Sequence, residues 1–291
     1  MSIVNAKEIM LEAAKGKYAV GAFNITDLVQ MEGVIDAAIA KNSPLIIQTS
    51  VKPSKFLGVD VLVAIYKTIA ASAPIPICLH LDHCTEIDHC KKCADAGYTN
   101  IMIDASKQSF DENIRQTKEI VDYCHKVGNI SVEGELGTVS GVEDQIKVAE
   151  DETQLANPRQ AVEFVERTGL DIFAPAIGTA HGVYKTKNPK VDFERLGQIN
   201  QLLNGKRIKT PLVVHGGTGL PEDYIKKLIE MGGAKFNVST ELKRTMIDAQ
   251  YDYTNSHREE YDPGKIDEAV RKAIRDAVGH WIDMLGSAGK A

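Results

Sequence analysis

The sequence predicts an α/β protein in which eight parallel strands, each followed by a helix, close into a (β/α)8 TIM barrel with extra helices at both ends. Three observations predict it. Short apolar runs alternate with helical patterns eight times, with short links and no Pro/Gly/Ser-rich linker or low-complexity tract. The length of 291 residues suits one barrel of this class. Polar residues recur at strand C-terminal ends: Asn24, Ser50, Asp82, His83, Asp104, Glu135, His215 and Asn237, with His181 just beyond strand six. A closed barrel gathers those ends at one mouth, whereas an open, doubly wound sheet spreads them along an edge. The expected organisation is one domain over residues 1–291.

The elements follow in order. Ala6 to Lys15 reads as an opening helix and Tyr18 to Asn24 as the first strand. A helix from Leu28 to Ala40 follows the cap-like Thr26-Asp27 pair. Strand Pro44 to Ser50 and a helix within Val59 to Ala71 lead to the third strand, Ile75 to His83. Helix Ile87 to Ala96, strand Asn100 to Asp104, helix Phe110 to Val127 and strand Ile130 to Glu135 continue the alternation. Thr138 to Asn157 is polar and acidic without periodicity, as expected of a long loop over a site. Pro158 then starts a helix to Arg167. Strand Asp171 to Ala176, a loop through Pro189, helix Phe193 to Leu203, strand Pro211 to His215, helix Glu222 to Met231 and strand Gly233 to Asn237 complete the series. The tail, Thr240 to Ala288, is helical with a break at Asp262-Pro-Gly264.

Composition narrows the function. The chain is 43% hydrophobic and 25% charged, ordinary for a soluble globular protein, and its net charge of −6 argues against nucleic acid or an anionic membrane as partner. The first residues lack a basic stretch followed by an apolar one, and no run approaches the roughly 18 apolar residues of a membrane span, so a cytoplasmic location is expected. Five cysteines, an odd number, do not suggest a disulfide framework. Cys90-Lys-Lys-Cys93 imitates half of a zinc ribbon, but no second Cys-x-x-Cys accompanies it. The two thiols are better read as semi-buried neighbours on one helix face.

Three constellations carry chemistry. His83, His181 and His215, from strands three, six and seven, meet only if the barrel closes; three imidazoles with an open position are the form of a catalytic Zn2+ site. Strand periodicity alone places His80 and Asp82 on one face and His83 on the other, unless the backbone turns at the strand end. Gly-rich turns form the second constellation: Ile177 to Gly182, His215 to Gly219 and Asn237 to Thr240 allow close backbone approach and form anion nests. Two of them lie at strands seven and eight, the usual phosphate corner of such a barrel. Carboxylates are the third. Asp82 is placed for acid–base work beside His83, and Asp104 and Glu135 for a second cation or for orienting the histidines. Glu133 shares a face with Glu135 and is open to pairing inside the barrel. Glu143 and Asp144 lie in the long loop, where one could act as a base on loop closure.

Taken in order, the runs Ala19 to Asn24, Leu79 to His83, Met102 to Asp104, Val132 to Gly137, Gly178 to Gly182, His215 to Gly219 and Asn237 to Glu241 resemble the class II, metal-dependent ketose-bisphosphate aldolases over nearly the whole chain. The resemblance implies reversible cleavage of fructose 1,6-bisphosphate into dihydroxyacetone phosphate and glyceraldehyde 3-phosphate. It implies Zn2+, with a second or monovalent cation as an option, and no Schiff-base lysine. By the same resemblance His83, His181 and His215 are metal ligands, and Asp104 and Glu135 belong to an alternative metal position. Asp82 handles the proton of the C4 hydroxyl, and Glu143 exchanges the carbon-bound proton. Gly182, Gly216, Gly217, Thr218, Asn237, Val238, Ser239 and Thr240 form the dihydroxyacetone-phosphate site. Asn24 and Ser50 add substrate contacts, and Lys185 falls near a phosphate-contacting lysine. Relatives are homodimers or homotetramers.

Two features depart from the family pattern. Cys84, next to His83, stands where a smaller residue is common, and its thiol would make the site sensitive to oxidants. For the distal phosphate, Arg244 and Arg258 are candidates only. A tagatose 1,6-bisphosphate aldolase, or a related enzyme using dihydroxyacetone phosphate, is the alternative. A metal-dependent barrel hydrolase and a non-catalytic sugar-phosphate-binding subunit are the more distant rivals.

Overall fold

Alternate residues of most strands belong to two different hydrophobic clusters, and that division defines the architecture. Val20, Ala22, Ile46, Cys78, Ile172, Ala174 and Val213 share one cluster with Ala6, Ile9, Met10 and Ala13 of the first helix. Phe23, Ile47, Leu79, Leu81, Ile101, Ile103, Val132, Phe173, Val214 and Phe236 pack instead with the outer helices. A sheet buried on both faces in this way is a barrel, filled inside and covered outside.

The structure is a computed structural model. It describes residues 2–143, 146–149, 153–184 and 186–291, and the backbone alone of residues 142, 143 and 146–148. Strands β1 (Val20–Asn24), β2 (Leu45–Thr49), β3 (Ile77–Cys84), β4 (Asn100–Ile103), β5 (Ser131–Leu136), β8 (Ile172–Pro175), β9 (Leu212–Val214) and β10 (Gly233–Val238) form the wall. They close in the order β1-β10-β9-β8-β5-β4-β3-β2, every pairing parallel, as the TIM barrel requires. β6 (Gly141–Glu143) and β7 (Ile146–Val148) form a separate antiparallel pair inside the stretch expected to be irregular.

The helices are α1 (Ala6–Gly16), α2 (Leu28–Ala40), α3 (Val51–Leu57), α4 (Val59–Ser72), α5 (Ile87–Ala96), α6 (Phe110–Val127), α7 (Pro158–Thr168), α8 (Phe193–Gly205), α9 (Glu222–Glu230), α10 (Thr240–Ser256) and α11 (Pro263–Leu285). Their starts carry the expected signals. Asp27 caps α2 through Gln30 N, Asn157 caps α7 ahead of Pro158, and Asp262 caps α11 ahead of Pro263. The short α3 was not expected; its Pro53 lies in the first turn, where a missing N–H costs no helical hydrogen bond. α1 closes the bottom of the barrel with Ile9 and Met10. α11 returns to pack on α2, where Arg271 holds Asp36 and Glu32 at 2.6 and 2.9 Å. No helix among the described residues is long and apolar enough to cross a membrane.

Candidate active site at the barrel mouth

The end of β3 decides the site. Leu81 pairs with Ile101 and Cys84 with Ile103, so three steps along β3 answer two along β4. The extra residue is a bulge, and His83 takes a left-handed φ of +45° within it. A non-glycine residue there costs on the order of 1 kcal/mol. The bulge breaks strict alternation, so Asp82 and His83 reach the same mouth.

Asp82 is fully buried, and three amides meet its carboxylate. Asn24 Nδ2 and Gln48 Nε2 donate to Oδ2 at 3.0 and 3.1 Å, and Asn237 Nδ2 donates to Oδ1 at 3.0 Å. Burial opposes ionisation, but nearby His83, His80 and Lys235 outweigh it and hold the pKa well below the usual carboxylate range. Asp82 is thus a fixed anion whose orientation is set by β1, β2 and β10 together.

His83, His181 and His215 converge. Their ring centroids lie 4.8, 4.5 and 5.9 Å apart, and one potential ligand atom from each falls within 4.8 Å of the others. A second set, His83, Asp104 and Glu135, meets the same criterion. Carboxylates flank the rings: His83 Nδ1 is 2.8 Å from Asp104 Oδ2, and His215 Nδ1 is 2.9 Å from Glu135 Oε2. His215 Nε2 is 3.0 Å from Glu133 Oε1. Ionised carboxylates only accept, so in the absence of a metal ion the pair favours the charged ring, in which both nitrogens carry a proton. Burial and His83 work against that charge, yet the bonds to Glu133 and Glu135 raise its pKa above the ordinary imidazole value. Asp104 is also buried, but His83 and Ser106 lower its pKa to about 2. Clustered imidazoles backed by carboxylates suit a divalent metal ion.

Beside the histidines lies a recess lined by His181, Gly182, Gly216, Thr218, Asn237, Ser239, Thr240 and Lys243. Gly216 has φ +69°, and a Cβ built on it would stand 2.3 Å from the Ala180 carbonyl oxygen, so only glycine fits. Tyr184 ties the same loops together, donating to Gly216 O at 2.8 Å and accepting from Ala180 N at 3.0 Å. Burial pushes its hydroxyl up to about 12, keeping it protonated. Ser239 occupies the N-cap position of α10 without a side-chain capping bond, and the nearby Glu241 accepts from Trp281 Nε1 at 2.9 Å. The recess therefore offers a helix N-terminus, hydroxyls and an ammonium group, a setting for phosphate.

Not every expected residue joins this group. Asn24 reaches it through Asp82, while Ser50 sits at the end of β2 as N-cap of α3. Gly217 packs on Asn237, its N–H donating to Asn237 O at 3.1 Å, and the Val238 side chain is buried in the outer layer; neither lines the recess. The Glu143 side chain, Asp144 and Lys185 lie outside the described residues. The backbone before Glu143 is well placed, however: His181 N donates to Ser140 O at 2.8 Å, and Gly141 packs directly on His181. Arg244 and Arg258 are exposed and do not line the recess. Cys84 is buried in the outer layer with Cys90 and Cys93, its thiol donating to Glu86 O at 3.4 Å, so strand direction turns it from the mouth. Cys90 and Cys93 are fully buried on α5.

Four contributors escaped the sequence reading: Gln48, Lys235, Tyr184 and Lys243. Gln48 and Lys235 stand two residues before Ser50 and Asn237, so strand alternation alone could have placed them on the inner face. Lys243 lies one helical turn beyond Ser239 and Thr240. Tyr184 carried no local signal.

Comparison with known proteins agrees with this geometry. Residues 4–290 match the family model described as fructose-bisphosphate aldolase class-II. A fructose-bisphosphate aldolase of Helicobacter pylori is 37% identical over 311 residues, covering 99% of each chain. One from Staphylococcus aureus is 38% identical over 294 residues and covers both chains completely. Among solved structures, the YdjI aldolase from Escherichia coli K12 superposes with a TM-score of 0.84 at 31% identity over 99% of each chain. A match of this extent, on a barrel with these strand-end residues, means that the chain belongs to the class II fructose-bisphosphate aldolase family.

Proposed function

We propose that this aldolase cleaves fructose 1,6-bisphosphate reversibly into dihydroxyacetone phosphate and glyceraldehyde 3-phosphate, with Zn2+ as its divalent ion. The observation that carries the reading is the convergence of three imidazoles and a buried, amide-held carboxylate beside a recess lined by glycines, hydroxyls and Lys243. An ion held by His83, His181 and His215, with Asp104 and Glu135 as an alternative seat or for a second cation, supplies Lewis-acid stabilisation of the charge that cleavage leaves on the three-carbon fragment.

The chain's own residues do the rest. Gly182, Gly216, Thr218, Ser239, Thr240 and Lys243 hold the phosphate of the dihydroxyacetone half, with Gly217, Val238 and Lys185 in support. Asn24 and Asn237 orient Asp82, and Ser50 contacts the sugar. Asp82 takes the proton of the C4 hydroxyl as the C3–C4 bond breaks; its electron pair passes to C3. Glu143, carried on the strand that starts against His181, returns a proton to that carbon. The setting we propose is the cytoplasm, in keeping with five buried, unbridged thiols, and a homodimer or homotetramer.

The test is kcat/KM on fructose and tagatose 1,6-bisphosphates, side by side, with Zn2+ present. The two sugars differ in configuration at C4, where Asp82 acts. Fructose 1,6-bisphosphate should be the better substrate by at least about tenfold, or roughly 1.4 kcal/mol. A preference for the tagatose isomer would overturn the assignment.

A further inference from the structure

Directly beneath the histidines, the barrel interior holds a lysine and a glutamate that the reaction does not use. Lys235 on β10 and Glu133 on β5 are both 0% exposed, and Lys235 Nζ donates to Glu133 Oε2 and Oε1 at 2.9 and 3.1 Å. Glu133 Oε1 also accepts from His215 Nε2 at 3.0 Å. On its other side Lys235 Nζ lies 3.5 Å from His80 Nε2, and His80 Nδ1 is 2.5 Å from Asn100 Nδ2. Asn100 in turn accepts from Ser131. The chain of contacts therefore runs from the middle of the barrel to one ring at its mouth.

Stability is a poor reason for such a pair. Taking both charges out of water costs several kcal/mol per ion, and apolar residues of the same volume commonly do as well or better. What distinguishes this pair is its outlet. Besides His80, whose Nε2 stands 3.7 Å from Oε2, the Glu133 carboxylate has one hydrogen-bond partner that is locked in the barrel, Lys235, and one that belongs to the histidine cluster, His215.

We infer that Lys235 is a positioning residue for the metal centre: by pinning the Glu133 carboxylate, it commits His215 Nε2 to the barrel interior and turns Nδ1 toward the mouth. His215 Nδ1 faces Glu135 Oε2 at 2.9 Å, inside the histidine and carboxylate cluster, which is where a ligand atom is needed. Groups that orient a metal-bound histidine from behind are worth about 10- to 100-fold in metal affinity. Lys235 acts one contact further back, through Glu133. The inference rests on the reading of His215 as a metal ligand, and the experiment separates the two.

The experiment measures Zn2+ affinity of the metal-stripped full-length protein by competition with a chromophoric chelator, with thermal unfolding as the check on fold. The variants are His215→Ala, Lys235→Met, Glu133→Gln and the double Lys235→Met/Glu133→Gln. His215→Ala should lose most affinity; if it binds Zn2+ like the parent, the ligand assignment fails and the inference with it. Lys235→Met leaves a bare buried carboxylate and is expected to unfold at lower temperature. The double variant removes both charges and should regain much of that thermal loss, while its Zn2+ affinity stays about 10-fold or more below the parent. Its Co2+-loaded visible spectrum should shift as well. Parental Zn2+ affinity and an unshifted Co2+ spectrum in the folded double variant would reduce Lys235 to a structural role and overturn the inference.

Discussion

Gly216 offers a sharp test because the structure separates two costs of adding one methyl group. Its φ is +69°, and a Cβ there would stand 2.3 Å from Ala180 O, 2.7 Å from Ala180 C and 3.0 Å from Ala180 N. Left-handed alanine costs about 1 kcal/mol. The clash is with backbone, and ordinary contact begins at 3.4 Å, so the Ala180 carbonyl must retreat by the difference, 3.4 − 2.3 = 1.1 Å. Ala180 immediately precedes His181, so the displacement passes to a proposed metal-ligand position. A shift of about 1 Å at an active site costs on the order of 100-fold in rate.

Gly169 provides the matched control. Its φ is +68°, nothing lies within 4 Å of its Cβ position, and it caps α7 away from the mouth. Gly169→Ala should therefore lower stability by about 1 kcal/mol and leave turnover unchanged. Gly216→Ala should lose that plus roughly 2 kcal/mol more, and kcat/KM should fall about 100-fold at saturating metal. The assays are urea unfolding and the coupled cleavage assay. Turnover of Gly216→Ala within a few-fold of Gly169→Ala would show that the packing of Gly216 on Ala180 does not matter to the site.

Two further predictions follow from the charges. Asp82→Asn keeps the shape of the amide-held group but removes its capacity to take a proton; kcat should fall by about 100- to 10,000-fold with metal affinity largely kept, and a fall below tenfold would remove Asp82 from the proton step. In the metal-free protein, Asp104 has its pKa lowered from 3.8 to about 2, so the stability it contributes, roughly 2 kcal/mol, is present above pH 3.8 and lost as pH falls toward 2. His215 has a raised pKa, so its contribution is present below 6.5 and lost as pH rises through the folded value. The urea midpoint of stripped protein should accordingly be highest between these limits, and a midpoint that does not fall from pH 5 to pH 2 would contradict the Asp104–His83 contact.

Much of this site was legible because a parallel barrel brings strand C-termini together. Asn24, Asp82, His83, Asp104, Glu135, His215 and Asn237 were each marked as a polar residue ending an apolar run, and those marks held once the strands closed. The partition between His80 and His83 was not legible from period alone, because it depends on the bulge in β3 and the positive φ of His83. Lys235 and Glu133 lie 102 residues apart, and nothing local announces that they meet. Glu133 was recognised as able to pair inside the barrel, but its partner was not. α3 was hidden by Pro53, which reads as a breaker and is harmless in a first turn. Cys84 misled through sequence adjacency, since its neighbour faces the mouth and it does not.

On the proposed assignment, three histidines on separate strands hold the ion on which carbon–carbon cleavage depends. The direct measurement is cleavage of fructose 1,6-bisphosphate by protein stripped exhaustively with chelator, then titrated with Zn2+. Activity should vanish on stripping and return in proportion to Zn2+ up to one equivalent per chain, with His215→Ala unable to recover it. Full turnover by the stripped protein, in the measured absence of metal, would contradict the account.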